Sequence, residues 1–422
     1  MIVMGGIIGS GIFMNPHVVA TLVTSPLLIL GTWTFGGLIA LAGAFIYAEL
    51  ASRRPEVGGQ YAYIREAYHP LIAFLFGWGL FLVSTSGGLA AVAMTFARYF
   101  IELTGTTLPD WSIAVSALAL LTILNCTGVR TGGTIQSVFM VLKIGAIVFL
   151  IVCGYILAGG PVSASPAIVT PKPAFDMLTS FGAAMVPVLF SYGGWQTANF
   201  IAGEIRSPGR NLPRGLLIGV TGVVVLYLLV NIVSLNVLGP AGLAASLTPA
   251  SDVMRAALGD RGAAIIALGI VISTFGFLSQ GILTSPRVYF AMAHDGLFFR
   301  RVATLHPRTR VPMAAIILQG AFAIVVALSG TYEQILSYVV SDDFIFFGLT
   351  AGTIFVLRKK DGGRTVTVTM PGHPITTALF ILVCAAIVIN TVYAYPVNTL
   401  IGFAILLTGI PVYYYWKRKH SS

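Results

Sequence analysis

Gly5-Gly6-Ile7-Ile8-Gly9-Ser10-Gly11-Ile12-Phe13 interrupts the first apolar stretch of the chain, and Phe190-Ser191-Tyr192-Gly193-Gly194-Trp195, preceded by Pro187, interrupts the sixth. Glycine lets a chain leave helical geometry and brings backbone groups to the surface. The surroundings decide what such a break means. Hydrophobic residues make up 57% of the 422 residues and charged residues only 9%, against roughly 25% charged in a soluble domain. A water-facing fold of this length has no way to hide so much apolar surface. The apolar runs are also long enough to cross a bilayer as helices, which takes about 20 residues. Inside a bilayer, non-helical backbone is tolerated only where it is buried in protein or lines a cavity.

Charge-free stretches set the candidate spans. They run from Met1 to Val23, Pro26 to Ala48, Leu71 to Ala97, Trp111 to Val129, and Gly133 to Leu157, the last carrying one charge, Lys143. Met177–Gly203, Gly215–Leu238, Gly262–Pro286 with a continuation toward Ala293, Pro312–Ser329 and Glu333–Leu357, the last carrying Asp342 and Asp343, follow. The stretch from Pro374 to Tyr415 is too long for one crossing, and Asn390 with Tyr395-Pro396-Val397-Asn398 divides it in two. The result is an all-α polytopic membrane protein with twelve spans and both termini on one side. Arg98, Lys172, Arg255 and Arg261 fall on the opposite side, and nearly all the other basic residues fall with the termini. The positive-inside bias makes the termini cytoplasmic. The net charge of +10 is then a topology signal, and nucleic acid is not needed to explain it. The N-terminus lacks the basic region of a signal peptide. Its break comes after eight residues, about 12 Å of helix, so a short preceding segment is expected to be missing.

Each glycine break sits in the first span of a block of five. A single break is also explained by close helix packing through small residues. A pair in corresponding positions points to a transport site built on inverted repeats. The helix that restarts after the first break offers N–H groups and a positive dipole end to an anion.

Several motifs in the same order resemble the amino acid–polyamine–organocation superfamily, close to its L-type amino acid transporter and bacterial amino acid permease branches. Ile8-Gly9-Ser10-Gly11-Ile12-Phe13 is similar to that family's first-span signature. Phe190 to Trp195, running on to Glu204-Ile205-Arg206-Ser207-Pro208-Gly209-Arg210, is similar to its sixth-span signature and following loop. Pro55 to Tyr63 resembles the loop after the second span, and Arg287–Gly296 with His306–Pro312 resembles the segment after the eighth. The resemblance implies a LeuT-type fold, with residues 1–158 and 175–357 as inverted five-helix repeats and residues 374–417 as two added helices. It implies a substrate carboxylate on the N–H groups around Ser10, Gly11 and Ile12. The ammonium would lie near carbonyls of Ile7, Phe190 and Ser191, and Phe190 would act as a lid. Gly9 and Gly193 shape the two breaks. Gln196 and Asn199 can each bond a substrate or a neighbouring helix.

A charge in mid-membrane costs roughly 2.5–3.5 kcal/mol on insertion scales, so Lys143 needs a purpose. In the resembling transporters a lysine here replaces a sodium ion and ties the fifth span to the first and eighth; it would carry a coupling proton or act as a fixed charge. Asp342 and Asp343 are adjacent acids in the tenth span. Asp343 falls where the family has an acid and is expected to be structural or gating, whereas Asp342 departs from the pattern and could equally contact a cationic substrate, face a water-lined crevice or pair with an arginine. Glu204 beside Arg206 and Arg210 reads as a gate or loop ion pair. Thr85, Ser86, Gly87 and Gly88, with Ser273, Thr274 and Ser279, are suited to close packing. Tyr413-Tyr414-Tyr415-Trp416 before Lys417-Arg418-Lys419 reads as an interfacial anchor.

The expected activity is sodium-independent transport of α-amino acids, neutral ones first, by proton symport or exchange; a polyamine or cationic amino acid permease is the alternative. No enzyme signature, cofactor motif or metal spacing occurs. A sensor or channel lacks its usual traces, an output domain or a filter motif. In the animal L-type branch that the chain resembles, a cysteine in the loop after the third span links a glycoprotein partner; Leu103 to Asp110 has none, so the resemblance implies no disulfide-linked ancillary subunit here.

Overall fold

The computed structural model describes residues 2–55, 59–127, 133–158, 174–200, 202, 205–307, 311–362 and 366–421. Among them the chain is helical and no strand occurs. The first apolar stretch is two helices, α1 (Ile2–Ile7) and α2 (Gly11–Leu22), followed by α3 (Pro26–Arg53) and the short α4 (Gln60–Ala67). Next come α5 (Pro70–Gly79), a π-helical turn over Leu80–Thr85, α6 (Ser86–Thr104), α7 (Asp110–Cys126) and α8 (Gly133–Ile156). The sixth stretch is α9 (Ala174–Tyr192) and α10 (Thr197–Phe200). Then follow α11 (Pro208–Ala245), α12 (Pro249–Thr284), α13 (Pro286–His294), α14 (Met313–Ser329) and α15 (Tyr332–Lys360). The chain closes with α16 (Ile375–Ala394), α17 (Pro396–Leu407) and α18 (Gly409–Ser421).

Local chemistry sets these bounds. Proline opens α3, α5, α11, α12, α13 and α17, where its missing N–H costs nothing. Thr331 and Gln334 form a reciprocal capping box at the start of α15, satisfying two otherwise orphaned donors. Gly239 and Gly259, with φ of 68° and 67°, kink α11 and α12, close to the expected limits at Leu238 and Gly262. Two details differ from the sequence reading. The third span contains the π-helical turn, stabilised where Ser86 Oγ donates to the Phe81 carbonyl at 2.7 Å. The final apolar stretch divides at Tyr395 and again at Thr408, not at Asn390, which lies inside α16 and whose side chain packs on Gly182 of α9.

Eight helical stretches are long and apolar enough to cross a membrane, and three shorter apolar helices accompany them among the described residues. Large apolar side chains point outward along them, including Leu27, Ile218 and Ile375, each more than 70% exposed. Such a surface suits lipid. Two packed groups form the interior. In one, α3 packs along α11 and α2 along α9, with α1 against α11. In the other, α6 packs on α12 and α7 on α14. Between them, α8 lies on α12 and α11, and α15 lies on α6 and α3.

Candidate substrate site at two crossing helix breaks

The first break is tight. Ile8 N donates to Met4 O and Gly9 N to Ile7 O, both at 2.8 Å, and α2 restarts with Phe13 N and Met14 N donating to Ser10 O. The leading N–H groups of such a helix have no intrahelical acceptor. In the second break Gly193 N donates back to Leu189 O, and Gly194 adopts φ +105°. Gln196 Oε1 accepts from Gly194 N at 3.0 Å, and Thr197 Oγ1 donates to Gly194 O at 2.7 Å. Gln196 thus caps its own break.

The two breaks cross backbone to backbone. A Cβ on Gly194 would stand 2.0 Å from Gly6 O, and one on Gly11 would stand 2.5 Å from Ser191 Cα. No side chain fits at either point. Asn15, fully buried on α2, donates from Nδ2 to Pro187 O and to Ser191 Oγ, each at 2.7 Å. Its Oδ1 accepts from Tyr332 OH at 3.0 Å. This network fastens α2 to α9 and to the start of α15. The sequence reading passed over Asn15 and Tyr332, because an uncharged side chain does not interrupt an apolar run.

A cavity of about 140 Å³ opens where the breaks cross. Ile7, Gly9, Ser10 and Gly11 line it from the first break, and Phe190, Ser191, Gly193 and Gln196 from the second. Ile12 is buried outside it. Asn199 is also buried and accepts from Tyr63 OH at 3.3 Å. The wall continues through Ser84, Thr85 and Gly88 of the third span and Phe277, Gln280 and Thr284 of α12. Thr85 and Gly88 therefore face the cavity. Ser86 instead accepts from Gln319 Nε2 at 2.8 Å, and Gly87 packs on Val339. Ser10 Oγ is buried without a hydrogen-bond partner. Phe190 meets Tyr332 edge to face at 6.5 Å.

Lys143 is 5% exposed. Its Nζ donates to Ile8 O at 2.5 Å and lies 5.3 Å from the centre of the Phe277 ring. It joins the fifth, first and eighth spans at the break itself. The two acids diverge: Asp343 lines the cavity, while Asp342 turns into the protein and accepts from Ser84 Oγ at 2.8 Å. Glu204 lies outside the described residues.

A family model described as "Amino acid permease" matches residues 1–415. The chain belongs to this family. Among known proteins it is similar to the large neutral amino acids transporter small subunit 2 of Mus musculus, 31% identical over 99% of this chain and 80% of that protein. It is 29% identical to the serine/threonine exchanger SteT of Bacillus subtilis (strain 168), over 100% of this chain and 96% of that one. It is 28% identical to the cystine/glutamate transporter of Homo sapiens, over 99% and 84%. These are transporters and exchangers by name, and the family is one of permeases, not enzymes.

In this permease the end of the bundle that carries Arg53, Arg54, Arg358 and Lys360 is fastened by a charge network. Glu49, with 0% exposure, accepts from Arg53 Nε at 2.8 Å, from Arg358 Nε and Nη2 at 2.8 and 2.7 Å, and from Met370 N at 2.7 Å. Asp361 accepts from Arg53 at 2.9 Å and Arg54 at 2.8 Å, and Arg54 also pairs with Glu66 of α4. Burial of Asp361 opposes its ionisation, yet the hydrogen bonds from Arg54 and Arg53 hold its carboxyl below the usual range. The Arg54 hydrogen bond likewise lowers Glu66, against a smaller opposing effect of burial. Nearby, Asp295 accepts from Tyr61 OH at 2.8 Å and pairs with Arg65.

Proposed function

We propose that this permease is a secondary transporter of α-amino acids, neutral ones first, working by sodium-independent exchange or proton symport. The observation that carries the reading is the crossing of two glycine breaks over one cavity. An amino acid has a carboxylate and an ammonium at fixed separation. The start of α2 offers N–H groups and the positive end of a helix dipole to the first. The ends of α1 and α9, at Ile7, Phe190 and Ser191, offer carbonyls to the second. Phe190 is placed to cover the bound molecule. Lys143, holding the Ile8 carbonyl, takes the part a sodium ion would play, as fixed charge or proton carrier.

The packing supports twelve crossings arranged as inverted repeats over residues 1–158 and 175–357, with 374–417 added. The eight long stretches, the three shorter helices and the broken α1–α2 pair together make twelve. Contacts also recur in matching pairs: the fifth span on the eighth mirrors the tenth on the third, and the fifth on the seventh mirrors the tenth on the second. By the positive-inside bias the basic end would be cytoplasmic, with both termini on that side, and the reading is of a cell-membrane protein. The cavity wall runs from the breaks toward that end through Thr197, Phe200 and Ser285. Tyr332 and Asn15, with Tyr99 OH bonded to the Phe13 carbonyl at 2.9 Å, close the other end. This is an inward-facing arrangement, and alternating access would rock the group of spans one, two, six and seven against the rest. Some relatives are named as small subunits; with no cysteine between Leu103 and Asp110, this chain would work without a disulfide-linked one.

Asp343 on the cavity wall favours a second reading, a cationic amino acid or polyamine as substrate. Proteoliposomes loaded with mixed amino acids decide between them. Uptake of labelled alanine, serine, leucine, arginine and putrescine is measured with and without sodium and a pH gradient. Sodium-independent uptake of a neutral amino acid is expected. Uptake of arginine or putrescine alone would select the second reading, and a sodium requirement would refute the role given to Lys143.

A further inference from the structure

Asp342 is 3% exposed, and among the described residues it makes no ion pair. Oδ2 accepts one hydrogen bond, from Ser84 Oγ, and Oδ1 has no partner. The carboxyl lies against the backbone of Gly79, where a Cβ would stand 2.6 Å from Oδ1 and 2.8 Å from Oδ2. Substitution of that glycine would evict the group, so the space is shaped for it. Ser84 belongs to the π-helical turn Leu80–Thr85, an irregularity that recurs at functional sites. Ser84 also lines the cavity, together with Asp343. One hydroxyl therefore bridges the buried carboxyl and the cavity wall.

The groups that face the two acids are few. Tyr47 of α3 is a titratable side chain close enough to Asp343 to feel its charge. From α4, Gln60 donates to the Phe346 carbonyl. Cys384 of α16 and Gly402 of α17 pack on α15. From α9, Phe190 meets the start of α15 at Tyr332. Among the described residues no basic side chain pairs with Asp342 or Asp343. An ionised carboxylate buried without a partner takes up a proton instead of bearing the desolvation cost, and two neighbouring carboxyls titrate as a pair.

We propose that Asp342, Ser84 and Asp343 form a proton-binding site that opens to the substrate cavity through Asp343. The pair holds one proton at neutral pH, on Asp342. A proton that leaves Asp342 passes to Asp343 and from there to cavity water, leaving the pair doubly ionised. A bound cation would offset that charge, so the site links proton release to an ammonium-bearing substrate. The proposal deepens the transport reading and leaves Lys143 as a fixed charge.

Two measurements separate this proposal from that reading. Infrared difference spectroscopy of the purified protein under pH titration detects the carbonyl stretch of a protonated carboxylic acid whether or not the protein transports. The band is expected in the wild type at neutral pH, to fade on alkalinisation and to be absent from Asp342→Asn. Ser84→Ala keeps the carboxyl but removes its donor, so its band is expected to shift in frequency; this serves if D342N does not fold. No band at neutral pH, or a band unchanged in both variants, overturns the proposal. In proteoliposomes, wild-type exchange is expected to change severalfold from mildly acidic to mildly alkaline pH, and D342N to lose that dependence. D342N that keeps the wild-type pH profile also overturns it. The expected band in a protein that moves no amino acid would support the proton site while refuting the transport reading.

Discussion

Replacing Glu49 by alanine removes a carboxylate that nothing solvates except protein. Its four acceptor contacts come from three segments: Arg53 on its own helix, Arg358 at the end of α15, and the Met370 N–H before α16. Breaking a buried ion pair by deleting one partner costs about 3–5 kcal/mol, because the other charge stays buried and uncompensated. The structure places this site at the low end. Arg53 keeps Asp361 at 2.9 Å, and the Arg358 side chain is 29% exposed and can rehydrate. Met370 N, buried, loses its acceptor, which adds about 1–3 kcal/mol if no water reaches it. A loss of about 3–4 kcal/mol is the working figure. A domain of 150–250 residues loses about 2–4 °C per kcal/mol, and less for a longer chain, so a fall of about 4–8 °C in the melting temperature is expected. Fluorescence-detected size-exclusion after heating, in detergent, measures it. Glu66→Ala is the control: its partner Arg54 keeps Asp361, Glu66 itself is partly exposed, and such a pair is worth about 0–1 kcal/mol. Glu49→Ala with Arg358→Ala completes the test, since removing both charges should recover part of the loss. If E49A melts within a degree of wild type, or no lower than E66A, the network does not hold this end of the bundle together.

Three further outcomes follow from the same geometry. Gly11→Ala and Gly194→Ala should each sharply cut transport and lower the melting temperature, because the added Cβ lies 2.5 Å from Ser191 Cα or 2.0 Å from Gly6 O, backbone atoms that have to move; Gly145→Ala, with open space around it, should transport and melt normally, and uptake and melting assays compare all three. Asn15→Ala should lower stability by about 1–3 kcal/mol, since it strips three hydrogen bonds and leaves buried groups unpaired; Tyr332→Phe, which removes one of the three, should cost less in the same melting assay. At acid pH the basic-end network should weaken. Glu66 and Asp361 titrate below their usual values of 4.5 and 3.8 in the folded protein, so their contribution is full above those values and is lost as pH falls through the folded ones. Arg54→Met should therefore melt below wild type at neutral pH and approach it as pH falls.

The sequence made this site readable wherever its chemistry is costly in lipid. Glycine pairs inside apolar runs announced the two breaks, and a single lysine amid apolar residues announced the contact with Ile8. The unread parts are those whose meaning depends on helix rotation or on a distant partner. Asp342 and Asp343 are equivalent as letters. One residue turns a helix by about 100°, and the packing of α15 on the third span decides which of them meets the cavity. That packing depends on the π-helical turn at Leu80–Thr85, which shifts Ser84 to the acid; no glycine or proline within the turn announces it. Glu49 looks like the polar end of a span, because Arg53 and Arg54 follow it. Beyond Arg53 on its own helix, its partners Arg358 and Met370 lie 309 and 321 residues away, so its burial is invisible until α15 returns beside α3. Asn15 was hidden for the opposite reason, being neutral in a stretch judged by charge. An uncharged polar side chain four residues beyond a helix break is a usable signal, since a restarted helix lies against a second broken one and such a side chain can tie the two together, as Asn15 Nδ2 does at Pro187 O and Ser191 Oγ. Applied to the second break, the same criterion selects Thr197, four residues beyond Gly193, and its hydroxyl caps the Gly194 carbonyl.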